Sequence, residues 1–381
     1  MASAMSFEPT QSSCACRGKA EERRHVMHVM DLPFNLTGLV WPAERVVIGR
    51  RVCKRLRSVL SSHADIMAMV KRPSAKICDD HIEKDFTRTS ESKQLKVALR
   101  WQGPIAGLMG AVRFCPMLVK LDLSSITVCI GESGAGELAE ALRNRGCMSL
   151  AHLDLSNNRI GAAGAAKLAE VLGNYQMLVQ LTLWLNEIGA EGARMLAGGL
   201  GKCEALAHLD LRTNGLGPDG AKSFARMLGA WKNLVYLDLS RNYIGNEGAR
   251  ELAGALGGCK SLAHLDVNTN GIGADGAGML AAVLGECRVL TRLDMSFNPF
   301  GDEGAEKLAE ALGECAMLAR VDLSFNGIGD WGAGKLAGVW CRCKALVHLD
   351  LGSNKISADG ARRISAALDQ EALIINWEDC R

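Results

Sequence analysis

From Leu118 onward one pattern of apolar and polar positions recurs along the chain. Leu150, Leu178, Leu206, Leu234, Leu262, Leu290, Leu318 and Leu346 are each 28 residues apart. Each of these units opens on the pattern L-x-x-L-x-L-x-x-N, as in Leu150, Leu153, Leu155 and Asn158, with Val267, Met295 and Val321 as apolar replacements for Leu. The second and third leucines are two apart, so they face one side of a short strand. Ile160, Gly161, Gly164 and Ala165 follow, and the apolar positions Ala165, Leu168, Ala169 and Leu172 then mark one face of an α-helix. The Asn recurs through Asn186, Asn214, Asn242, Asn270, Asn298, Asn326 and Asn354. Its amide can satisfy backbone groups of the turn leaving the strand, a structural role. A ninth unit begins at Leu118 and is longer, with extra residues around Ser125–Cys129 and Asn144–Gly146.

Parallel strands stack ~4.8 Å apart, whereas helix axes need ~8–10 Å. Stacked strand–helix units must therefore bend, with strands inside and helices outside. The expected fold is an α/β solenoid, a right-handed horseshoe of about nine 28-residue repeats spanning 118–370. No unit can bury its own core, so both ends need lids. Residues 95–117 supply one, through a degenerate strand near Leu95–Trp101 and a helix over Ile105–Phe114. Residues 371–381 supply the other, because Leu373–Trp377 falls where the next strand is due.

Composition changes the picture upstream. The formal net charge of +2 hides an asymmetry, since residues 1–100 hold 18 Lys+Arg against 11 Asp+Glu and the remainder is acidic. Residues 1–30, without periodicity, read as a disordered tail, and 73–94 as a polar linker. No apolar run of ~18 residues is present for a membrane span, and Met1–Arg24 has no signal-peptide core. The chain reads as cytoplasmic, with the nucleus as an alternative.

The 14 cysteines do not form a disulfide framework. Cys115, Cys147, Cys203, Cys259, Cys287, Cys315 and Cys343 each lie three residues before the first Leu of a unit, and Tyr175 and Trp231 fill the same slot elsewhere. A slot shared by Cys, Tyr and Trp is a buried packing position. Zinc spacing is absent, and no metal or cofactor is expected.

The 28-residue unit resembles the ribonuclease-inhibitor class of leucine-rich repeats, also found in NOD-like immune receptors and in the Ran GTPase-activating protein, over about 118–377. The resemblance implies a protein that binds another protein and is not an enzyme. It leaves the partner open.

Two columns of strand residues alternate with the core leucines. One is Lys120, His152, Gln180, His208, Tyr236, His264, Arg292, Arg320 and His348; the other is Asp122, Asp154, Thr182, Asp210, Asp238, Asp266, Asp294, Asp322 and Asp350. Carboxylates at strand spacing raise one another's pKa, and the acidic neighbours are expected to favour protonated His. This predicts an exposed acidic stripe beside a pH-sensitive basic one. A carboxylate in eight of nine units is the repeat's own consensus, so catalysis or calcium binding is not inferred from it. Departures from the pattern are more informative. The third unit has Thr182, Trp184 and Leu185 where its neighbours are polar, and an outward Trp is a binding hot-spot residue. Phe297 and Phe325 share a slot in adjacent units and predict an apolar patch on the loop rim. Arg212, Arg241, Tyr243, Tyr236 and Arg292 complete the candidate protein-binding face, together with His152, Asp154, His208, Asp210, Asp238, His264 and Arg320. Gly329, Gly334 and Lys335 fit a phosphate-loop spacing, but Leu336 replaces the required Ser/Thr and the stretch lies in a repeat helix.

Residues 31–72 read as a small helical module. Leu36, Leu39 and Val40 have helical spacing before Pro42, and Val52, Leu56, Val59 and Leu60 line one face of a helix bearing Arg50, Arg51, Lys54, Arg55 and Arg57. Leu32–Pro33 and Val52-Cys53-Lys54-Arg55 resemble the opening Leu-Pro and the Val-Cys-Lys/Arg segment of an F-box, the module that docks on the adaptor of a cullin-type ubiquitin ligase. The first helix is shorter than in that family, and Leu56 stands where Trp is common. The resemblance implies an adaptor-docking role for Leu32, Pro33, Leu36, Leu39 and Val52. The competing reading is a basic amphipathic helix that caps the array or meets calmodulin or an acidic membrane. No aromatic interleaving points to nucleic acid.

Three functions follow: a substrate receptor of a ubiquitin ligase; a stand-alone scaffold, inhibitor or sensor; and GTPase activation, by analogy with one repeat relative. The last lacks that relative's acidic tail and any Arg marked out as a finger.

Overall fold

The structure, a computed structural model, describes residues 75–76, 97–101, 118–125, 129–143, 147–315, 317–340, 342–343, 345–367 and 374–376. The expected tail over 1–30, the F-box-like segment at 31–72 and the cap helix at Ile105–Phe114 lie outside these residues, as does most of the linker.

Twelve strands form one sheet in chain order: β1 (Ala75–Lys76), β2 (Val97–Trp101), β3 (Leu118–Asp122), β4 (His152–Asp154), β5 (Gln180–Thr182), β6 (His208–Asp210), β7 (Tyr236–Asp238), β8 (His264–Asp266), β9 (Arg292–Asp294), β10 (Arg320–Asp322), β11 (His348–Asp350) and β12 (Ile374–Asn376). β1 runs antiparallel to β2, and every later pair is parallel. From β3 to β11 the register is in step, so His208 lies opposite Tyr236 and Asp210 opposite Asp238. Equivalent residues of successive repeats therefore stand in true columns. Among the described residues nine helices alternate with the repeat strands: α1 (Gly131–Arg143), α2 (Gly161–Leu172), α3 (Gly189–Leu200), α4 (Gly217–Leu228), α5 (Gly245–Leu256), α6 (Ala274–Leu284), α7 (Gly301–Leu312), α8 (Asp330–Trp340) and α9 (Ala358–Ala367). This is the expected α/β solenoid of nine repeats, and each helix packs on the next.

One core runs the length of the array. In the second repeat it takes Leu150, Leu153 and Leu155 from the strand side, and Ala165, Leu168, Ala169 and Leu172 from the helix. The helices approach closely because a small residue recurs on the inner face. A Cβ placed on Gly220 would stand 2.8 Å from Leu216 Cβ and 3.2 Å from Ala193 Cβ, closer than carbon atoms pack.

The Asn column binds the repeats to one another. Asn186 Oδ1 accepts the backbone N–H of Asn158 at 3.0 Å, while its Nδ2 donates to the carbonyls of Leu155 and Leu183, each at 2.9 Å. Asn214, Asn242, Asn270 and Asn298 repeat this arrangement. Each amide satisfies buried backbone groups that no helix or sheet would otherwise pair.

The Cys/Tyr/Trp slot is buried as expected, and it also donates. Tyr175 Oη donates to Leu142 O at 2.8 Å, Trp231 Nε1 to Leu200 O at 2.9 Å, Cys203 Sγ to Leu172 O at 3.3 Å and Cys343 Sγ to Leu312 O at 3.1 Å. Each acceptor is a carbonyl in the last turn of the preceding helix, where no intrahelical donor remains. Cys, Tyr and Trp share an apolar body with a single donor, and that combination is what the slot selects.

Candidate protein-binding face

The two strand columns and the loop that follows them form one continuous face. The residue two positions beyond each column Asp closes a tight turn. In the second repeat Asp154 Oδ1 accepts Ser156 N–H at 3.0 Å and Ser156 Oγ–H at 2.6 Å, and the Asp238–Ser240, Asp294–Ser296 and Asp322–Ser324 pairs do the same. This is the local side chain-to-backbone turn that Asp favours. The acidic stripe is consequently less exposed than expected. Asp210 and Asp294 are buried, and Asp238 is only 1% exposed. These carboxylates, read above as part of an exposed stripe, are mainly turn-formers, and the Asp-x-Ser spacing at five of the nine strand ends was the signal for it.

Electrostatics corrects a second expectation. Burial pushes the Asp266 carboxyl up to about 7, helped by Asp238 and Asp294 on either side, and Asp210 and Asp294 are raised chiefly by burial too. His208 and His264 do not become protonated in response. Burial pulls His264 down to about 4, with the Arg292 charge adding to it, and His208 is lowered chiefly by burial, so the acidic neighbours lose to desolvation. The reason is packing along the column. The rings of His208 and Tyr236 stack at 4.0 Å with 5° between planes, and Tyr236 meets His264 at 4.5 Å. The Tyr236 hydroxyl donates to Asp238 Oδ2 at 3.2 Å. His152 is held differently, its Nδ1 lying 3.2 Å from Gln180 Oε1.

The third repeat interrupts the turn. Thr182 replaces the Asp, and Trp184, 36% exposed, occupies the Ser position. The Arg212 guanidinium lies 5.3 Å from the Trp184 ring centroid and reaches Asp210 Oδ2 at 3.3 Å and Asp238 Oδ2 at 3.9 Å. Trp184, Arg212, Asp210, Asp238 and Tyr236 thus form one connected cluster. Leu185 is half-buried beside it.

Leu185, Arg241, Phe297 and Phe325 all stand at one position of the rim, where the backbone is left-handed in every repeat (φ of 54° to 57° for these four). Phe297 and Phe325 stack at 3.9 Å with an 11° interplanar angle, and both are about half exposed. They form the rim patch expected from sequence. Arg292 and Arg320 are exposed on the strand face, Arg241 on the rim, and Tyr243, 79% exposed, stands at the next left-handed position of its loop. The structure therefore separates the candidates into the Trp184–Tyr236 cluster, the Phe297–Phe325 pair, and single exposed residues between them. Among the described residues no group of three or more His, Cys, Asp or Glu is placed to hold a metal ion, and no helix is long and apolar enough to cross a membrane.

Sequence comparison agrees with this architecture. Residues 146–169, 202–225, 232–253, 258–281, 286–309, 314–337 and 342–365 match the leucine-rich-repeat family model. No curated protein sequence matches the chain as a whole. With seven matched repeats inside a nine-repeat solenoid, the chain is a leucine-rich-repeat protein, and such arrays serve as protein-binding scaffolds.

Proposed function

We propose that the chain is a scaffold of the ribonuclease-inhibitor type that binds a protein partner on its strand face and loop rim, with Trp184 and Arg212 at the centre of the contact. One observation carries this reading. The Asp-x-Ser turn is abandoned in the third repeat, and the residue that replaces Ser is a partly exposed Trp stacked on an Arg. Trp and Arg are the residue types that dominate binding hot spots. The stacked Phe297–Phe325 pair supplies a second apolar contact on the same rim.

The F-box-like segment at 31–72 gives the scaffold a role: Leu32, Pro33, Leu36, Leu39 and Val52 dock on a ubiquitin-ligase adaptor while the array selects the substrate, in the cytoplasm or nucleus. Residues 95–117 and 371–381 cap the array in this reading. Affinity purification of the full chain and of residues 95–381, with partners identified by mass spectrometry, tests it. An adaptor recovered only with the full chain, and lost in Leu32→Ala/Pro33→Ala, supports the receptor. The same partners with both chains and no adaptor would replace it with a stand-alone scaffold, inhibitor or sensor.

A further inference from the structure

Two departures from the repeat pattern fall in the same two repeats. Of the nine residues in the first strand column, Arg292 and Arg320 are exposed and the other seven are half-buried. Phe297 and Phe325 are the aromatic residues of the left-handed rim position, and they too are exposed. Both pairs belong to repeats seven and eight. The strand register sets Arg320 opposite Arg292, at a strand spacing of ~4.8 Å. Like charges directly opposite one another on neighbouring strands are destabilising. No ion pair among the described residues involves either guanidinium.

The carboxylates two residues along each strand are turned to another task. Asp294 Oδ1 accepts Ser296 Oγ–H and Asp322 Oδ1 accepts Ser324 Oγ–H, each at 2.7 Å. Asp294 is buried, and burial raises its carboxyl, which weakens its charge. His264, beside Arg292 in the column, is kept neutral by desolvation. The two guanidiniums are therefore the exposed charge of these strands. On the rim, the stacked rings of Phe297 and Phe325 cover each other's faces and leave a ridge of edges to solvent.

We propose that repeats seven and eight bind an acidic segment of the protein partner, its carboxylates on Arg292 and Arg320 and a neighbouring aromatic or large apolar side chain on the Phe297–Phe325 ridge. Guanidinium forks match carboxylates bidentately, and an anion between two parallel forks relieves their repulsion. The spacing suits one short piece of chain. Five residues separate Arg292 from Phe297 and Arg320 from Phe325, a span of at most ~17 Å, which an extended segment of about five residues covers. The inference rests on the protein-binding reading of this face but not on Trp184, which lies in the third repeat.

Panning a random-peptide phage library on the full chain tests this. The recovered sequences should combine Asp or Glu with Phe, Trp or Leu, and a labelled synthetic copy of the commonest one serves as the probe in fluorescence polarisation. Its affinity should fall roughly tenfold or more in Arg292→Glu/Arg320→Glu and in Phe297→Ser/Phe325→Ser. A probe with its acidic residues replaced by Lys should bind the Arg292→Glu/Arg320→Glu chain, which shows that the variant is folded. Trp184→Ala should leave the affinity of the acidic probe unchanged. Recovery of no acidic peptide, or a reversed probe that fails to bind the reversed chain, overturns the proposal. Peptides that are lost in Trp184→Ala but survive both double variants overturn it too, while leaving the protein-binding reading of the face in place.

Discussion

The indole N–H of Trp231 donates to the carbonyl oxygen of Leu200, one repeat upstream, at 2.9 Å. The fourth helix motif thereby closes the end of the third. The same bond is made by a phenol at Tyr175 and by thiols at Cys203 and Cys343. Trp231→Phe keeps most of the apolar body and removes this donor, leaving the Leu200 carbonyl with the Cys203 N–H alone. We expect a loss of about 0.5–1.5 kcal/mol, read in urea unfolding. Cys203→Ser, which keeps a donor, should cost less than Cys203→Ala. Equal losses in both Cys203 variants would show that volume alone matters in the slot.

The same burial sets thiol chemistry. Desolvation pushes Cys203, Cys259 and Cys315 each up to about 11, so little thiolate forms near neutral pH. Among the described cysteines only Cys129 is exposed. Iodoacetamide at pH 8 should label Cys129 at least tenfold faster than the slot cysteines, as followed by peptide mass spectrometry. Comparable labelling of Cys259 would mean that the array opens locally on that timescale.

Helix starts come in two forms, and this explains a substitution in the repeat. Gly161, Gly189, Gly217, Gly245 and Gly301 are left-handed, and each N–H donates to the Asn carbonyl of the next repeat. Where the preceding repeat offers a short polar side chain, the backbone turns to it instead. Asn246 Oδ1 accepts Gly273 N–H at 2.7 Å, Asp302 Oδ1 accepts Gly329 N–H at 2.6 Å and Gly332 N–H at 2.9 Å, and Asp330 Oδ1 accepts Ser357 N–H at 2.7 Å. A residue other than Gly, Ser357, stands at the last of these because no left-handed backbone is needed. Asp302→Ala should cost about 1 kcal/mol and lower the Tm. Asp302→Asn should retain most of the stability, and a loss equal to that of Ala would rule out capping as the reason.

The carboxylate ladder predicts a pH response. Asp266 is raised to about 7 in the folded chain from an ordinary value of 3.8, so the folded state holds its proton more tightly than the unfolded state does. The stability this proton gives is present below the unfolded value and is lost as pH rises through about 7. Asp266→Asn removes the cost of ionisation. It should raise the Tm by ~3 °C or more at pH 8 and change it little at pH 4. An increase of the same size at both pH values would trace the effect to packing.

For recognition, Trp184→Ala should lose ~2 kcal/mol or more of partner affinity, measured by calorimetry once a partner is in hand. Substitution of a single ladder Asp should lose less, because Asp154 and Asp238 already spend one oxygen on their own turns. Uniform small losses across the face would show a diffuse contact.

Much of this was legible in the chain. The period of 28 and the paired leucines define the strand, the helix and the column order, because burial on one face leaves few choices at those positions. The interruption at Trp184 and the Phe297–Phe325 pairing could be read the same way. What escaped was the competition between groups at one position. Sequence shows an Asp in eight of the nine repeat strands, but whether it meets solvent depends on its turn to the residue two positions on. Sequence likewise shows His beside Asp, but stacking of His208 on Tyr236 removes the water that a protonated ring requires.

The Asn column gives the array a direction. Asn186 serves Asn158 N–H and Leu155 O, both in the repeat before it, and the same sense holds down the stack. Each turn is thus finished by the repeat that follows. During synthesis, which proceeds from the N-terminus, a newly emerged repeat must wait for its successor before its own loop is complete. The growing solenoid would always trail the ribosome by one unsealed unit, and clipping repeats from the C-terminal end would open bonds that clipping from the front leaves intact.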